Sequence, residues 1–385
     1  MSRSHAPISA QRLSLGIVGG GQLARMLILA GARLGLHFKV YDPSPDACAG
    51  QLAPLTCGAF ADANALMAFA RDLDVLTFDF ENVPASTLAA LENQINIAPN
   101  PRALAMTQDR LSEKQAFSDL NIPVAPYVAV ASADELTMAL EKLGAPGILK
   151  TRTLGYDGKG QARIASPEKA LQVWQDLALA PCVYEQIVPF QRELSIVAVR
   201  GKRGEFCAYP LVQNIHSAGI LAVSIAPAKN AERLNQLAIG YARQVAEAFN
   251  YVGTFALEFF ELNGTLVLNE MAPRVHNSGH WSIEGAECSQ FENHVRAIAD
   301  LPLGSTQVRQ PSVMLNWIGK MPSAEPHLQV PGLAWHDYGK SARTGRKVGH
   351  ATLSAPDFAV LRKRLMVLSE HCDTDALRLA LAASW

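Results

Sequence analysis

Phe255-Ala256-Leu257-Glu258-Phe259-Phe260, then Asn263-Gly264, then Leu266-Val267-Leu268-Asn269-Glu270-Met271 is the stretch on which the reading of this 385-residue sequence turns. Both runs are rich in strand-forming residues, and Asn-Gly between them is the strongest short-range signal for a β-hairpin. A three-residue loop, Asn263 to Thr265, sets Glu258 directly opposite Glu270. A two-residue loop pairs Glu258 with Asn269 instead and turns Glu270 to the other face. In the first register two carboxylates meet among apolar neighbours, an unfavourable arrangement unless a cation lies between them. Mg2+ suits such a place, because it takes a few carboxylate oxygens together with water and phosphate oxygens, and Asn269 adds a further oxygen. The competing reading is two solvated glutamates on an exposed strand face.

Downstream, Pro273-Arg274-Val275-His276-Asn277-Ser278-Gly279-His280 gathers a cation, imidazoles and an amide into one turn beside that pair. Such a cluster can hold an anion, or it can be an ordinary polar loop. The spacing of His276 and His280 would suit zinc on a helix, but Pro273 and Gly279 argue against a helix. Upstream, Gly147-Ile148-Leu149-Lys150 ends a strand in a lysine, and Gly155-Tyr156-Asp157-Gly158-Lys159-Gly160-Gln161 follows at once. A fixed ammonium serves phosphate oxygens, and a flexible glycine loop can close over a triphosphate and exclude water. G-x-x-x-x-G-K-[ST] is absent, so this is no Walker A loop. A solvated surface hairpin is the plain alternative.

A third motif, Gly19-Gly20-Gly21-Gln22-Leu23-Ala24, follows a strand pattern and opens a helical one, with Asp42 at the end of the next strand. It meets the G-x-G-x-x-A form of the dinucleotide fingerprint. The underlying physics is broader: glycines let backbone N–H groups and a positive helix end approach any phosphate. A nicotinamide dinucleotide, a phosphate-bearing substrate and a purely structural turn all stay open here.

The bulk composition narrows the partners. The formal net charge is −1, charged residues make up 18% and hydrophobic residues 49%, with no Lys/Arg run. That excludes the basic footprint of a nucleic-acid binder and points to small-molecule partners. The six cysteines are scattered without a C-x-x-C pair, unlike a disulfide framework or a zinc knuckle. Met1 to Leu13 is polar and the apolar stretch after it is broken by glycines, so no signal segment is expected. No stretch approaches the ~18 apolar residues a membrane span needs, and a cytoplasmic protein without membrane partners is expected.

Periodicity gives the layout. Leu15 to Val18, a helix from Gln22 to Leu34, Phe38 to Tyr41, Val75 to Asp79 and Ile95 to Ala98 form a βαβ pattern, hence a parallel sheet. Asp109 to Leu120 reads as a linker helix stopped before Pro123. From Tyr127 to about Leu303 the texture is α+β, with helices at Asp134 to Leu143 and Ala231 to Phe249. Strands at Val313 to Ile318 and Ala334 to Tyr338 and a helix at Asp357 to Leu368 follow. The expected class is α/β plus α+β, in units spanning 1–124, 125–305 and 306–385.

Gly19 to Leu23, Phe80-Glu81-Asn82-Val83, Gly155 to Gln161, and Asn269 through Trp281 together resemble the ATP-dependent 5-(carboxyamino)imidazole ribonucleotide synthases, with similarity from about Leu15 to at least Gly349. The resemblance implies an ATP-grasp architecture: an N-terminal parallel-sheet, Rossmann-like pre-ATP-grasp domain, a nucleotide-clasping centre and a small C-terminal domain. It implies ATP and Mg2+ as cofactors. By it, Arg110, Lys150 and the loop Gly155, Tyr156, Asp157, Gly158, Lys159, Gly160, Gln161 contact ATP phosphates. Glu185, Gln186, Ile187 and Val188 form the hinge whose backbone reads adenine, Glu193 takes the ribose and His216 lies close to the nucleotide. Asn269 and Glu270 touch the nucleotide as well, and Glu258 and Glu270 hold the metal.

Aminoimidazole ribonucleotide would sit between the domains with its phosphate on Lys340 and Arg346. Gly21, Gln22, Leu23, Glu81, Tyr156 and Asp157 would line the same pocket. Arg274 would clamp bicarbonate, Asn277 would donate a hydrogen bond and His276 would handle protons. Two departures stand out: Leu154 occupies a place where the family often has a second glycine, and Trp335-His336-Asp337 precedes Tyr338. A homodimer is implied. The rival readings are formate-using glycinamide ribonucleotide transformylases and biotin carboxylases among ligases, a nicotinamide oxidoreductase, and a non-catalytic nucleotide sensor.

Overall fold

The structure is a computed structural model that describes residues 13–155 and 159–385. The stretch 1–12 and the expected loop residues Tyr156, Asp157 and Gly158 lie outside the described residues. Strands β1 (Ser14–Val18), β2 (His37–Asp42), β3 (Leu55–Cys57), β4 (Val75–Phe78) and β5 (Asn96–Ile97) form a parallel sheet in the order β3-β2-β1-β4-β5. Leu15, Ile17 and Val18 of β1 are fully buried, as befits a parallel strand covered on both faces. The first helix, Gln22–Ala32, presses Leu23, Leu27 and Ile28 into a core shared with Phe291, Val295 and Ile298 of the helix Gln290–Ile298. The N-terminal sheet is thereby anchored on a helix far later in the chain. Strand β3 and the helix Ala63–Ala70 were not anticipated from the sequence pattern.

The linker helix, Arg110–Asp119, begins on Asp109, whose carboxylate accepts from the N–H groups of Leu111 (2.9 Å) and Ser112 (3.2 Å). An N-cap of this kind satisfies donors that the first turn leaves without partners. Beyond it β6 (Tyr127–Val130), β7 (Gly147–Thr151), β8 (Gln161–Ile164) and β9 (Cys182–Gln186) make an antiparallel sheet, ordered β6-β9-β7-β8.

The remaining strands are β10 (Arg192–Arg200), β11 (Phe206–Ala208), β12 (Val212–Ser217), β13 (Ile220–Ala226), β14 (Gly253–Leu262), β15 (Thr265–Ala272), β16 (Ser312–Ile318), β17 (Leu333–Asp337) and β18 (Lys347–Ser354). They form one sheet in the order β15-β14-β10-β12-β13-β16-β18-β17, with β11 added on β10. Backbone pairing therefore crosses the boundary expected near residue 305, since Val223–Ala226 of β13 pairs with Ser312–Leu315 of β16. One face of β10, β14 and β15 packs on the helix Glu232–Ala248 through Leu194, Ile196, Phe255, Leu257, Phe259, Leu234, Ala238 and Val245. Burying each large side chain there contributes about 1.5–3 kcal/mol.

Strand alternation places Glu258 on the opposite face from Leu257 and Phe259. The loop of this hairpin has two residues, because Leu262 pairs with Thr265, and both Asn263 (φ 51°) and Gly264 (φ 73°) adopt the left-handed backbone of a type I′ turn. Of the two loop lengths, the two-residue one is formed. Glu258 nevertheless faces Glu270, because the register shifts between Glu258 and Phe259: Phe259 pairs with Leu268 and Glu258 with Glu270, which leaves Asn269 as a bulge. The apolar pattern explains why. Leu266, Leu268 and Met271 all enter the core, a spacing of two and then three. Without the extra residue Glu270 would follow Leu268 into the apolar layer, at the cost of an unpaired buried charge.

A Cβ added at Gly264 meets nothing within 4 Å, so replacement there tests the backbone alone. Gly264→Ala is expected to lower stability by about 1–2 kcal/mol, the cost of a left-handed L-residue. The shift in urea-unfolding midpoint measures it, and an unchanged midpoint would contradict the turn assigned here.

Candidate active site

The face of the large sheet turned away from the helix Glu232–Ala248 carries a polar row. Ser195 pairs with Glu258 across β10 and β14, and its Oγ receives from Asn214 Nδ2 and donates to Ser278 Oγ, both at 2.8 Å. Ser224 Oγ donates to Asn214 Oδ1 at 2.9 Å. Every link is buried, so each polar atom finds its partner inside the protein, as burial requires.

Three cations or imidazoles converge on the carboxylates of this face. Arg110 Nη1 donates to Glu270 Oε2 at 3.0 Å, and His276 Nε2 lies 3.0 Å from Glu258 Oε1. His276 is oriented in turn by Ser278 Oγ, 2.8 Å from its Nδ1. Burial alone would raise the Glu258 carboxyl, but the His276 contact, with His216 beyond it, outweighs burial and pulls it down to about 2. His216 Nδ1 sits 2.8 Å from Glu193 Oε2. Burial lowers the His216 imidazole, but Glu193 and Glu258 more than reverse this and its pKa is raised.

Lys150 Nζ donates to Glu185 Oε2 at 2.9 Å and reaches Asn269 Oδ1 at 3.4 Å. Burial depresses the lysine pKa despite Glu185. Burial would raise Glu185, but Lys150 and Lys114, the latter 3.3 Å from Oε1, hold it down. Arg110, Lys150, Glu185, Glu193, His216, Glu258, Asn269, Glu270 and His276 are thus gathered into one cluster from two sheets, the linker helix and the turn after β15. Gln186 is exposed, and Ile187 and Val188 occupy the open segment between β9 and β10.

The glycine loop leans on the same cluster. A Cβ at Gly155 would come within 3.1 Å of Arg110 Nη2, and Gly160, at φ 69°, accepts through its carbonyl from Thr151 N at 2.8 Å. Gln161, the first residue of β8, pairs with Lys150, and Lys159 lies in the turn two positions before that strand. Leu154 is exposed and holds φ 63°, a backbone that glycine adopts freely and a branched residue rarely does. That conformation accounts for the glycine expected at this place.

A second cluster forms where the N-terminal glycines meet the turn after β15. Arg274 Nε donates to Glu81 Oε2, and its Nη1 to the carbonyl of Val275 at 3.0 Å. Burial opposes ionisation of Glu81, but the Arg274 guanidinium holds it below the usual carboxylate range. Lys340 Nζ donates to Gln22 Oε1, joining residues 318 positions apart. Arg346 donates to Ser341 Oγ at 2.9 Å and lies near enough to Lys340 to help depress its pKa, though burial does most of that.

The N–H groups of Gly20, Gly21 and Ala24 go to the chain's own carboxylates. Asp42 accepts from Gly20 N (2.7 Å), and Asp79 from Gly21 N (2.9 Å) and Ala24 N (3.1 Å). Asp42 therefore serves the turn rather than standing free for a ribose. Leu23 is buried in the core, leaving only its backbone for any ligand. The amide of Asn277 is engaged by Asn316 of β16, in reciprocal bonds of 3.1 and 2.6 Å.

The unusual Trp335-His336-Asp337 also belongs to packing. Trp335 rests on Trp317, and His336 stacks on His350 at 4.1 Å with Glu284 Oε1 2.9 Å from its Nε2. His350 Nδ1 meets the Tyr338 hydroxyl at 2.7 Å, which fixes the start of the Lys340 loop. Zinc on His276 and His280 finds no support: no group of three or more metal-binding side chains of that kind occurs among the described residues, and His280 is buried against Gln290.

Sequence reasoning passed over Asp79, Glu113, Lys114, Gln290 and Asn316. A signal existed for two: Arg110, Glu113 and Lys114 lie three and four positions apart, on one helix face. Glu113 accepts from Met271 N at 2.8 Å, and burial together with nearby Glu270 pushes its carboxyl up to about 8.

Comparison with known proteins agrees with this architecture. A profile described as an ATP-grasp domain matches residues 115–291. A ribonucleotide synthetase preATP-grasp domain matches 13–108, and a phosphoribosylaminoimidazole carboxylase C-terminal domain matches 312–364. Fold and site together define an ATP-grasp ligase. The N5-carboxyaminoimidazole ribonucleotide synthase of Pseudomonas aeruginosa is 48% identical over 92% of this chain and 98% of its own length. The crystal structure of the synthetase from Thermus thermophilus is 48% identical, with a TM-score of 0.90 over 94% of this chain and 99% of that one. An Aspergillus clavatus synthase solved with ADP and 5-aminoimidazole ribonucleotide is 32% identical, with a TM-score of 0.88 over 96% and 99%. The chain belongs to the N5-carboxyaminoimidazole ribonucleotide synthase family.

Asp79 supplies a test of the turn. Burial pushes its carboxyl up to about 6 although two N–H groups and Arg274 oppose this. A folded acid that keeps its proton longer than the unfolded one favours folding below pH ~4, and that contribution, on the order of 3 kcal/mol, is lost as pH rises through the folded value. Asp79→Asn keeps an acceptor oxygen and is expected to flatten the fall in stability between about pH 4 and pH 6. Urea unfolding at stepped pH reads this, and an unaltered slope would refute it.

Proposed function

We propose that this chain carboxylates 5-aminoimidazole ribonucleotide to N5-carboxyaminoimidazole ribonucleotide, using ATP and bicarbonate through carboxyphosphate. The observation that carries the proposal is Glu258 facing Glu270 on neighbouring strands, each already held by a cationic or imidazole partner. Two carboxylates and the Asn269 amide form an all-oxygen donor set, which fits a hard divalent cation such as Mg2+. When bound, that ion would neutralise charge on the β- and γ-phosphates.

The chain's own residues supply the rest. Lys150 and Arg110 place positive charge at the phosphates, and the loop from Gly155 to Gln161 keeps water from the mixed anhydride. Glu185 to Val188 present backbone to the adenine, Glu193 takes the ribose, and His216 stays beside the nucleotide. Bicarbonate oxygen attacks the γ-phosphorus, ADP leaves, and Arg274, fixed by Glu81, clamps the anion with Asn277 nearby. His276, between Ser278 and Glu258, takes the carboxyl proton of carboxyphosphate as its C–O bond breaks, so that inorganic phosphate leaves and the freed CO2 forms the C–N bond with the exocyclic amine, which gives up a proton. Lys340 and Arg346 bind the phosphomonoester against the Gln22 turn.

A homodimer and a cytoplasmic location are part of the proposal, supported by likeness to the family. No helix among the described residues is long and apolar enough to cross a membrane. The division at 124 and 305 is likewise proposed, with β13 and β16 as the joint across the second boundary.

Phosphate release should require ATP, bicarbonate and aminoimidazole ribonucleotide together, each omitted in turn; release without the amine at the full rate would sink the assignment. Glu270→Gln is expected to reduce ADP formation by about 10²-fold or more at saturating substrates, and near-normal turnover would remove the metal assignment. Arg346→Ala should chiefly raise the KM for the amine nucleotide, by about tenfold or more, as loss of a charge-assisted hydrogen bond implies. An unchanged KM would move the phosphate elsewhere.

A further inference from the structure

We infer that Glu113, on the linker helix, is a positioning residue that holds the bulged register of β15 and so keeps Glu270 opposite Glu258. The inference rests on the reading of those two glutamates as the divalent-cation pair. Strand β15 is an edge of the large sheet, so alternate N–H groups point away from β14 and need partners from outside the sheet. Leu268 N donates outward to the carbonyl of Pro123 at 2.7 Å. In a regular strand the next outward N–H would be that of Glu270, two positions on. The bulge at Asn269 shifts the parity, so that the next outward donor is Met271 N. That donor meets Glu113 Oε1 at 2.8 Å, from a side chain only 3% exposed.

Glu113 therefore accepts a hydrogen bond that only the bulged register presents. Slipping back to the regular pairing would strand a buried carboxyl group and drive Glu270 toward Leu268's apolar side. The same helix face delivers Arg110 to Glu270 and Lys114 to Glu185. One rigid element thus braces both the cation pair and the lysine-bound carboxylate beside it. Glu113 acts from outside the sheet and is not itself one of the proposed cation ligands.

The test compares Glu113→Asp, which keeps the carboxyl group but withdraws the oxygen by one methylene, with Glu113→Gln, which keeps an acceptor at full reach. Hydrogen exchange at the Met271 amide and Mn2+ affinity in the presence of ADP are measured on the full chain. In Glu113→Asp, exchange is expected to speed up by about tenfold, as for one lost hydrogen bond. Mn2+ affinity is expected to fall by about 10-fold, as for loss of a group that orients a ligand. Glu113→Gln should restore both to within about twofold. Unchanged exchange in Glu113→Asp overturns the inference, and so does faster exchange with undiminished Mn2+ affinity. Glu270→Gln in the native background separates the underlying reading: if it leaves Mn2+ affinity intact, the metal assignment fails, whatever Met271 exchange reports of Glu113.

Discussion

The register of β14 against β15 is the constraint from which the site follows. Two glutamates share one face because Asn269 adds a residue to the edge strand, and Leu266, Leu268 and Met271 reach the core only with that addition. Apolar burial therefore sets the placement of the acids. The core on one side of the sheet and the chemistry on the other are two consequences of a single bulge, a device that recurs where a strand must re-aim side chains.

Around that pair the protein manages charge by local neutralisation. Glu185 lies between Lys114 and Lys150, Glu270 takes Arg110, Glu258 takes His276 and Glu81 takes Arg274. Buried charges are costly unless paired, so these contacts allow a polar floor to exist beneath an apolar layer. They also leave Lys150 held by a carboxylate and an amide rather than by solvent, with its position defined before a phosphate arrives. Preorganisation of this kind removes reorganisation cost at the reacting centre.

The two ends of the chain meet by the same logic. Asp42 and Asp79 take up the glycine-turn N–H groups, which gives the turn a fixed shape without a dinucleotide. Lys340 then approaches Gln22 from the C-terminal loop, whose start is fixed by Tyr338 on His350. A second cationic site arises between sheet and loop, separate from the carboxylate pair but bordered by the same turn carrying Arg274 and His276.

Much was legible in the sequence. Alternation in β14 and the Asn263-Gly264 turn showed a hairpin, the βαβ rhythm of the first hundred residues showed a parallel sheet, and glycine loops marked places for phosphate. These features are local, governed by periods of two and 3.6 residues and by turn chemistry. The loop length stayed open because a two-residue turn plus a bulge gives the same facing pair as a three-residue loop, although the apolar spacing at 266, 268 and 271 contained the distinction. Glu113, Lys114, Asp79 and Asn316 acquire meaning only through partners 39 to 158 positions away. The helical spacing of Arg110, Glu113 and Lys114 marks a shared face, but local pattern does not say which distant residues that face meets. The joining of β16 to β13, and the burial that moves the carboxyls of Asp79 and Glu113, were likewise decided by tertiary packing, because solvent exclusion and long-range pairing exist only once the chain has closed on itself.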